Sequence, residues 1–126
     1  MDLSLQITSV GDTTPREISA ASQAVRDVLE RLPGVTRVEP QRIRAPDHAK
    51  GALIDALGSL ALSIAPAVLK AILQTVQSVL SRQPPATKVL IQTKDGRVSF
   101  EFDPKRTSLQ ELVDAAERLG AAHHSA

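Results

Sequence analysis

The sequence predicts an α+β fold of two layers in the order β-α-β-α-β-β-α: a four-stranded mixed sheet with its helices mainly on one face, one helix being long, kinked and apolar. Three observations predict it. Apolar and polar residues alternate at the N-terminus and on both sides of Asp95-Gly96; two Ser/Thr-x-x-Glu strings open apolar runs of helical period; and Gly51 to Ser81 runs for 31 residues with only two charges, Asp55 and Lys70. The expected domain spans residues 1–120, with 121–126 as a flexible tail.

Leu3, Leu5 and Ile7 alternate with Ser4, Gln6 and Thr8, the period of a strand with one buried face. A helix follows, with Thr14 as N-cap, Pro15 at the first helical position and Glu17 closing a capping box. Ile18, Ala21, Val25, Val28, Leu29 and Leu32 keep to one face of it until Pro33-Gly34. The β-prone stretch Val35 to Arg44 changes parity, since Val38 and Ile43 cannot share a face of an unbroken strand. A bulge near Pro40 restores both to one side, and a proline in a strand implies an edge or a bulge. The first β-α-β unit is expected to be right-handed.

Read as one helix, Gly51 to Ser81 would be about 46 Å long at 1.5 Å per residue. A domain of this size has a diameter of about 35 Å. Such a helix must kink, project or find a partner. Asp55, Ser59, Ser63, Pro66, Lys70, Gln74, Gln77 or Ser78, and Ser81 recur at steps of three and four as a polar stripe, with Pro66 placed to bend it. Opposite lie Ile54, Ala61, Val68, Ile72 and Val79, the seam expected to face the sheet. One flank, Leu62, Leu69, Leu73, Val76 and Leu80, is wholly apolar. It either packs on the other helices or forms the partner-binding seam. The charge-free interval between Asp55 and Lys70 is 14 residues, short of the roughly 20 needed to span a bilayer.

Beyond Pro84-Pro85, Asp95-Gly96 favours a type I′ hairpin. Setting Lys94 opposite Arg97 pairs Thr93 with Val98, Ile91 with Phe100 and Val89 with Phe102 on one face. Leu90 with Glu101 and Gln92 with Ser99 form the other, more polar face. Ser108 and Glu111 open a last helix carrying Leu109, Leu112, Val113, Ala116 and Leu119, with Gly120 as its stop. The order is not ferredoxin-like, because the second helix leads into a hairpin.

The 126 residues suffice for one unstapled core, and the absence of cysteine removes disulfides and thiolate metal sites. A net charge of +1, two Phe and no Tyr or Trp give neither steering toward nucleic acid nor stacking rings for bases. With no basic start or apolar export segment, the expected address is the cytoplasm. Asp47, His48 and Lys50 cluster in one loop, where His48 beside a carboxylate has the composition of a general base. No nucleophile or stabilising group accompanies it. No phosphate-binding glycine loop, serine elbow or HExxH string is present, and His123-His124 reads as tail. Arg42, Arg44, Lys50, Lys88, Lys94, Arg97, Lys105 and Arg106 are interleaved with Asp95, Glu101 and Asp103, a solvated mixed-charge face. No catalytic residue, cofactor or metal is expected.

The strings MDLSLQITS, REISAASQAVRDVLERL, VTRVEPQRI, GALIDALGSLALSIAPAVLKAILQTVQSVLSRQ, TKVLIQTKDGRVSFEFD and SLQELVDAAERL cover nearly the whole chain. Together they resemble the effector-associated constant component family of bacterial conflict systems. The resemblance implies a small non-catalytic component that couples recognition or regulation to an effector, its partner being an effector peptidase or a regulatory NTPase. On that reading the chain is an adaptor that associates, with itself or a partner, through the long helix, with the hairpin's outer edge as a further surface. The rivals are a membrane-active component whose long helix inserts on triggering, and a regulatory ligand-binding domain with a pocket near Arg42, Arg44 and His48.

Overall fold

Among the described residues, five strands and three α-helices follow in the order β1 (Asp2–Ser9), α1 (Pro15–Leu29), β2 (Val35–Arg44), β3 (Leu53–Ile64), α2 (Leu69–Ser81), β4 (Thr87–Thr93), β5 (Ser99–Phe102) and α3 (Leu109–His124). The structure, a computed structural model, describes residues 1–44, 53–83 and 86–124.

The predicted long helix is two elements. Its first half is β3, which pairs antiparallel with β1 on one side and β2 on the other. Along it Leu60, Leu62 and Ile64 are buried at 1–4% exposure, while Ala61 and Ser63 between them are only half-buried, the alternation of a strand with one core face. Pro66 does not bend a helix; it ends the strand. With no N–H to give a ladder and a backbone angle suited to a first helical turn, it opens the 3-10 turn Pro66–Val68 that leads into α2. Gly58 interrupts β3 with φ of +76°, and a Cβ there would overlap the Ile7 carbonyl oxygen and press on Ile18 Cγ2 at 3.0 Å. The position therefore demands glycine both by conformation and by space.

Inserting β3 changes the sheet. Its order is β2-β3-β1-β4-β5 with every neighbouring pair antiparallel, so it has five strands, not four, and is not mixed. β1 and β2 are not neighbours, because β3 lies between them. The first six elements, β-α-β-β-α-β, have the order of the ferredoxin-like split β-α-β arrangement, contrary to the sequence reading, and β5 and α3 extend it.

The remaining elements form for the expected reasons. Thr14 and Glu17 close the capping box of α1, Glu17 N–H donating to Thr14 Oγ1 at 3.2 Å and Thr14 N–H to Glu17 Oε1 at 3.1 Å. Ile18, Ala21, Val25 and Leu29 are its buried face. β2 is an edge strand, and its register with β3 shifts between Pro40 and Arg42, but the extra residues of that irregularity lie on β3, between Asp55 and Leu60, and the side chain of Ile43 is outside the described residues. The β4–β5 register is the expected one: Val89 faces Phe102, Leu90 Glu101, Ile91 Phe100 and Gln92 Ser99. The turn differs. Gly96 N–H donates to Thr93 O at 2.9 Å, so the tight turn spans 93–96 and not 94–97. Arg97 N–H bonds the Asp95 carboxylate at 3.0 Å instead of Lys94 O. In α3, Glu111 N–H donates to Ser108 Oγ at 3.2 Å, and the helix runs through Gly120 to His124.

One core unites all three helices with one sheet face, formed by Leu3, Leu5, Ile7, Leu60, Leu62, Val89 and Ile91 against Val25, Leu29, Ile72, Leu73, Leu80, Leu112 and Leu119. Gln77 Nε2 donates to Pro104 O at 2.9 Å and ties α2 to the turn before α3. Leu73, fully buried, should lose about 2–5 kcal/mol of stability as Leu73→Ala in urea denaturation. Leu109, 62% exposed, should change by no more than about 0.5 kcal/mol as Leu109→Ala. Gly58→Ala should cost roughly 2–4 kcal/mol by the same measurement, since it meets both backbone strain and overlap.

Candidate functional site

The five residues of the expected partner seam are all in the core. Leu62 belongs to β3 and is 2% exposed; Leu69, Leu73, Val76 and Leu80 belong to α2 and are 0–2% exposed. They never formed one helix flank, and in the folded chain they present no surface. Of the opposite seam, Ile72 is buried, Val68 and Val79 pack against the core half-buried, and Ala61 points to the other side of the sheet.

That other side carries none of the three helices, all of which pack on the face of Leu3, Leu5 and Ile7. Strand parity puts Ser4, Gln6 and Thr8 of β1, Ser59, Ala61 and Ser63 of β3, and Lys88, Leu90 and Gln92 of β4 on the helix-free face. Arg37 and Glu39 of β2 and Ser99 and Glu101 of β5 flank them. Its centre is uncharged and mixes short side chains, of which Ser59 is buried at 7% exposure, with the longer Gln6, Leu90 and Gln92. Its charge sits at the margins: Arg37 with Glu39 at 2.6 Å on the β2 side, and Lys88 with Glu101 at 3.9 Å across β4 and β5. Asp2 and Ser63, opposite each other in the β1–β3 register, bond at 2.8 Å. The Ser63 hydroxyl holds the Asp2 carboxyl below its ordinary range, helped by Lys94 and the N-terminal amine. Both phenylalanines lie on the helix side, where their rings stack at 5.5 Å and Arg118 covers Phe100 at 5.9 Å.

Of the expected mixed-charge surface, the part at the hairpin and the turn after it falls among the described residues. Arg97 pairs with Asp95 at 3.4 Å and Arg106 with Asp103 at 3.9 Å, and all four side chains are at least 37% exposed. Such solvated pairs contribute little to stability. Asp47, His48 and Lys50 lie outside the described residues, as do the side chains of Arg42, Arg44, His123 and His124. A shallow, open depression of about 260 Å³ lies beside the start of α1, lined by Val10, Asp12, Thr13, Glu17 and Ala86. Glu17 is already bonded to Thr14 there, and Thr13 Oγ1 donates to Ala86 O at 2.7 Å. Among the described residues no group of three or more His, Cys, Asp or Glu is placed to hold a metal ion. No described helix is long and apolar enough to cross a membrane.

No family model, no curated protein and no solved structure matches the chain.

The hairpin turn has its own electrostatic signature. Asp95 accepts from Thr93 Oγ1 at 2.6 Å and from Arg97 N–H, and these bonds hold its carboxyl below the ordinary value. The ionised form therefore favours the folded turn at neutral pH, and this contribution is lost as pH falls from the ordinary carboxylate value through the depressed one. In a carboxyl NMR titration, Thr93→Val should raise the Asp95 midpoint toward the ordinary value, the hydroxyl bond being the largest cause. An unmoved midpoint would refute that assignment.

Proposed function

We propose that the chain is a non-catalytic adaptor domain that couples recognition or regulation to an effector in a bacterial conflict system. It meets a flat, charge-poor surface of that effector with the helix-free face of its sheet. One observation carries the reading. The face has an uncharged centre of Ser4, Gln6, Ser59, Ala61, Ser63, Leu90 and Gln92, and its charges are confined to the margins. Depletion of charge at the centre with a polar, charged rim is the compositional mark of a protein–protein interface. The resemblance supplies the class of partner, an effector peptidase or a regulatory NTPase.

The route of association differs from the one the sequence suggests, since no long helix exists to supply it. The membrane-active alternative loses the same helix. The ligand-binding alternative rested on Arg42, Arg44 and His48, whose side chains are outside the described residues.

Ala61→Arg tests the reading, because it places a long cation at the centre of the face while leaving the core untouched. Titration calorimetry against the effector encoded beside this chain should show binding by the parent chain. The variant should lose at least about tenfold in affinity, its thermal stability being nearly unchanged. Absence of binding by the parent chain would overturn the adaptor reading, and equal binding by both chains would overturn the choice of face.

A further inference from the structure

The two ends of the sheet are built differently. β2 carries Pro40, a bulge between Val35 and Arg37 and the charged pair Arg37–Glu39, devices by which an edge strand is kept from pairing with another chain. β5 is short, four residues, and its exposed Glu101 pairs with Lys88, but it contains no proline, its register with β4 is unbroken, and the core-side Phe100 and, just before the strand, Val98 are left half-exposed.

The hydrogen-bond phase fixes what β5 offers. Thr93 N–H donates to Val98 O at 3.0 Å, so Val98, Phe100 and Phe102 turn their backbone groups toward β4. Ser99 and Glu101 then turn their N–H and C=O groups outward from the last strand of the sheet.

We infer that this edge pairs with the same edge of a second copy of the chain, antiparallel about a twofold axis at Phe100, giving one continuous ten-stranded sheet. An isologous contact requires the strand to complement itself, and β5 with its flanks does so in one register. Centred on Phe100, Ser99 faces the partner's Glu101 and the two exchange backbone hydrogen bonds twice over by symmetry. Val98 faces the partner's Phe102, Phe100 faces the partner's Phe100, and Arg97 faces the partner's Asp103. The half-exposed apolar side chains are thereby covered on the helix side, and opposite charges meet at both ends of the ladder. The neighbouring registers are worse. Centring on Glu101 sets two carboxylates face to face, and centring on Ser99 leaves Phe102 without a partner. This contact uses the edge, not the helix-free face, so it stands independently of the proposed effector contact.

The chain has no cysteine, which makes Phe100→Cys a clean probe. The two Phe100 positions form a non-hydrogen-bonded pair, whose Cα atoms lie about 4.5 Å apart, within disulfide reach. Sedimentation velocity of the full chain from about 1 µM to 1 mM, a span covering weak homodimers, should show a concentration-dependent dimer. Glu101→Pro removes an outward N–H without touching the β4 ladder and should raise the dissociation constant at least tenfold. Under mild oxidation Phe100→Cys should give a disulfide-linked dimer, whereas Thr8→Cys on the helix-free face should not. Circular dichroism of each variant separates a lost contact from a lost fold. A parent chain that stays monomeric throughout would overturn the inference. So would a dimer that is indifferent to a folded Glu101→Pro, or one cross-linked by Thr8→Cys and not by Phe100→Cys.

Discussion

The pairing of β3 with β1 and β2 together is the constraint on which the rest of the structure depends. Leu60 and Leu62 stand opposite Leu5 and Leu3 on one side and Pro40 and Val38 on the other, so this strand joins β2 to the rest of the sheet. With β3 in place, α1 must cross from β1 to β2 over the core face and α2 must return from β3 toward β4, beyond β1. Both helices then cover the same side, which is why one sheet face stays open. The N-terminus is part of this arrangement, since the Met1 amine donates to Ile64 O at 3.1 Å and Ile64 N–H returns to Met1 O at 2.9 Å.

Much of this was legible in residues with one reading only. Thr14-Pro15 with Glu17 admits nothing but a helix start, and Pro40 marks an irregular edge strand. The hairpin register follows from alternation alone. Gly51 to Ser81 failed because its polar residues satisfy two periods at once. Asp55, Ser59 and Ser63 are spaced by four, which keeps them on one side of a helix and equally on one side of a strand. Leu and Ala are strong helix formers, so propensity pointed the wrong way, and burial between two strands overruled it. The discriminating signals were short: strict alternation from Ser59 to Ile64, bracketed by Gly58 and Pro66.

The same error displaced the candidate site. An apolar flank drawn from Leu62 to Leu80 combined residues of a strand and a helix that meet inside the core, so the apparent surplus of apolar surface was interior surface. Once it is assigned there, the sheet still offers a helix-free face whose charge sits toward its margins, and two edges, one broken by proline and a bulge and one regular. A sheet face cannot be found from helix periodicity. It emerges only when Ser4, Gln6, Ser59, Ala61, Ser63 and Gln92, scattered through the chain, are brought side by side by the strand order.

The most direct test of this account is a search for a single proton contact. Because Met1 and Ile64 exchange hydrogen bonds, Ser4 and Ala61 form a non-hydrogen-bonded pair, in which the two Hα atoms lie close together. A nuclear Overhauser effect between the Hα protons of Ser4 and Ala61 is the predicted result. A run of Hα to amide effects three residues apart through residues 59–64, with no Ser4–Ala61 contact, would mean that the segment is helical after all and would contradict the central place of β3.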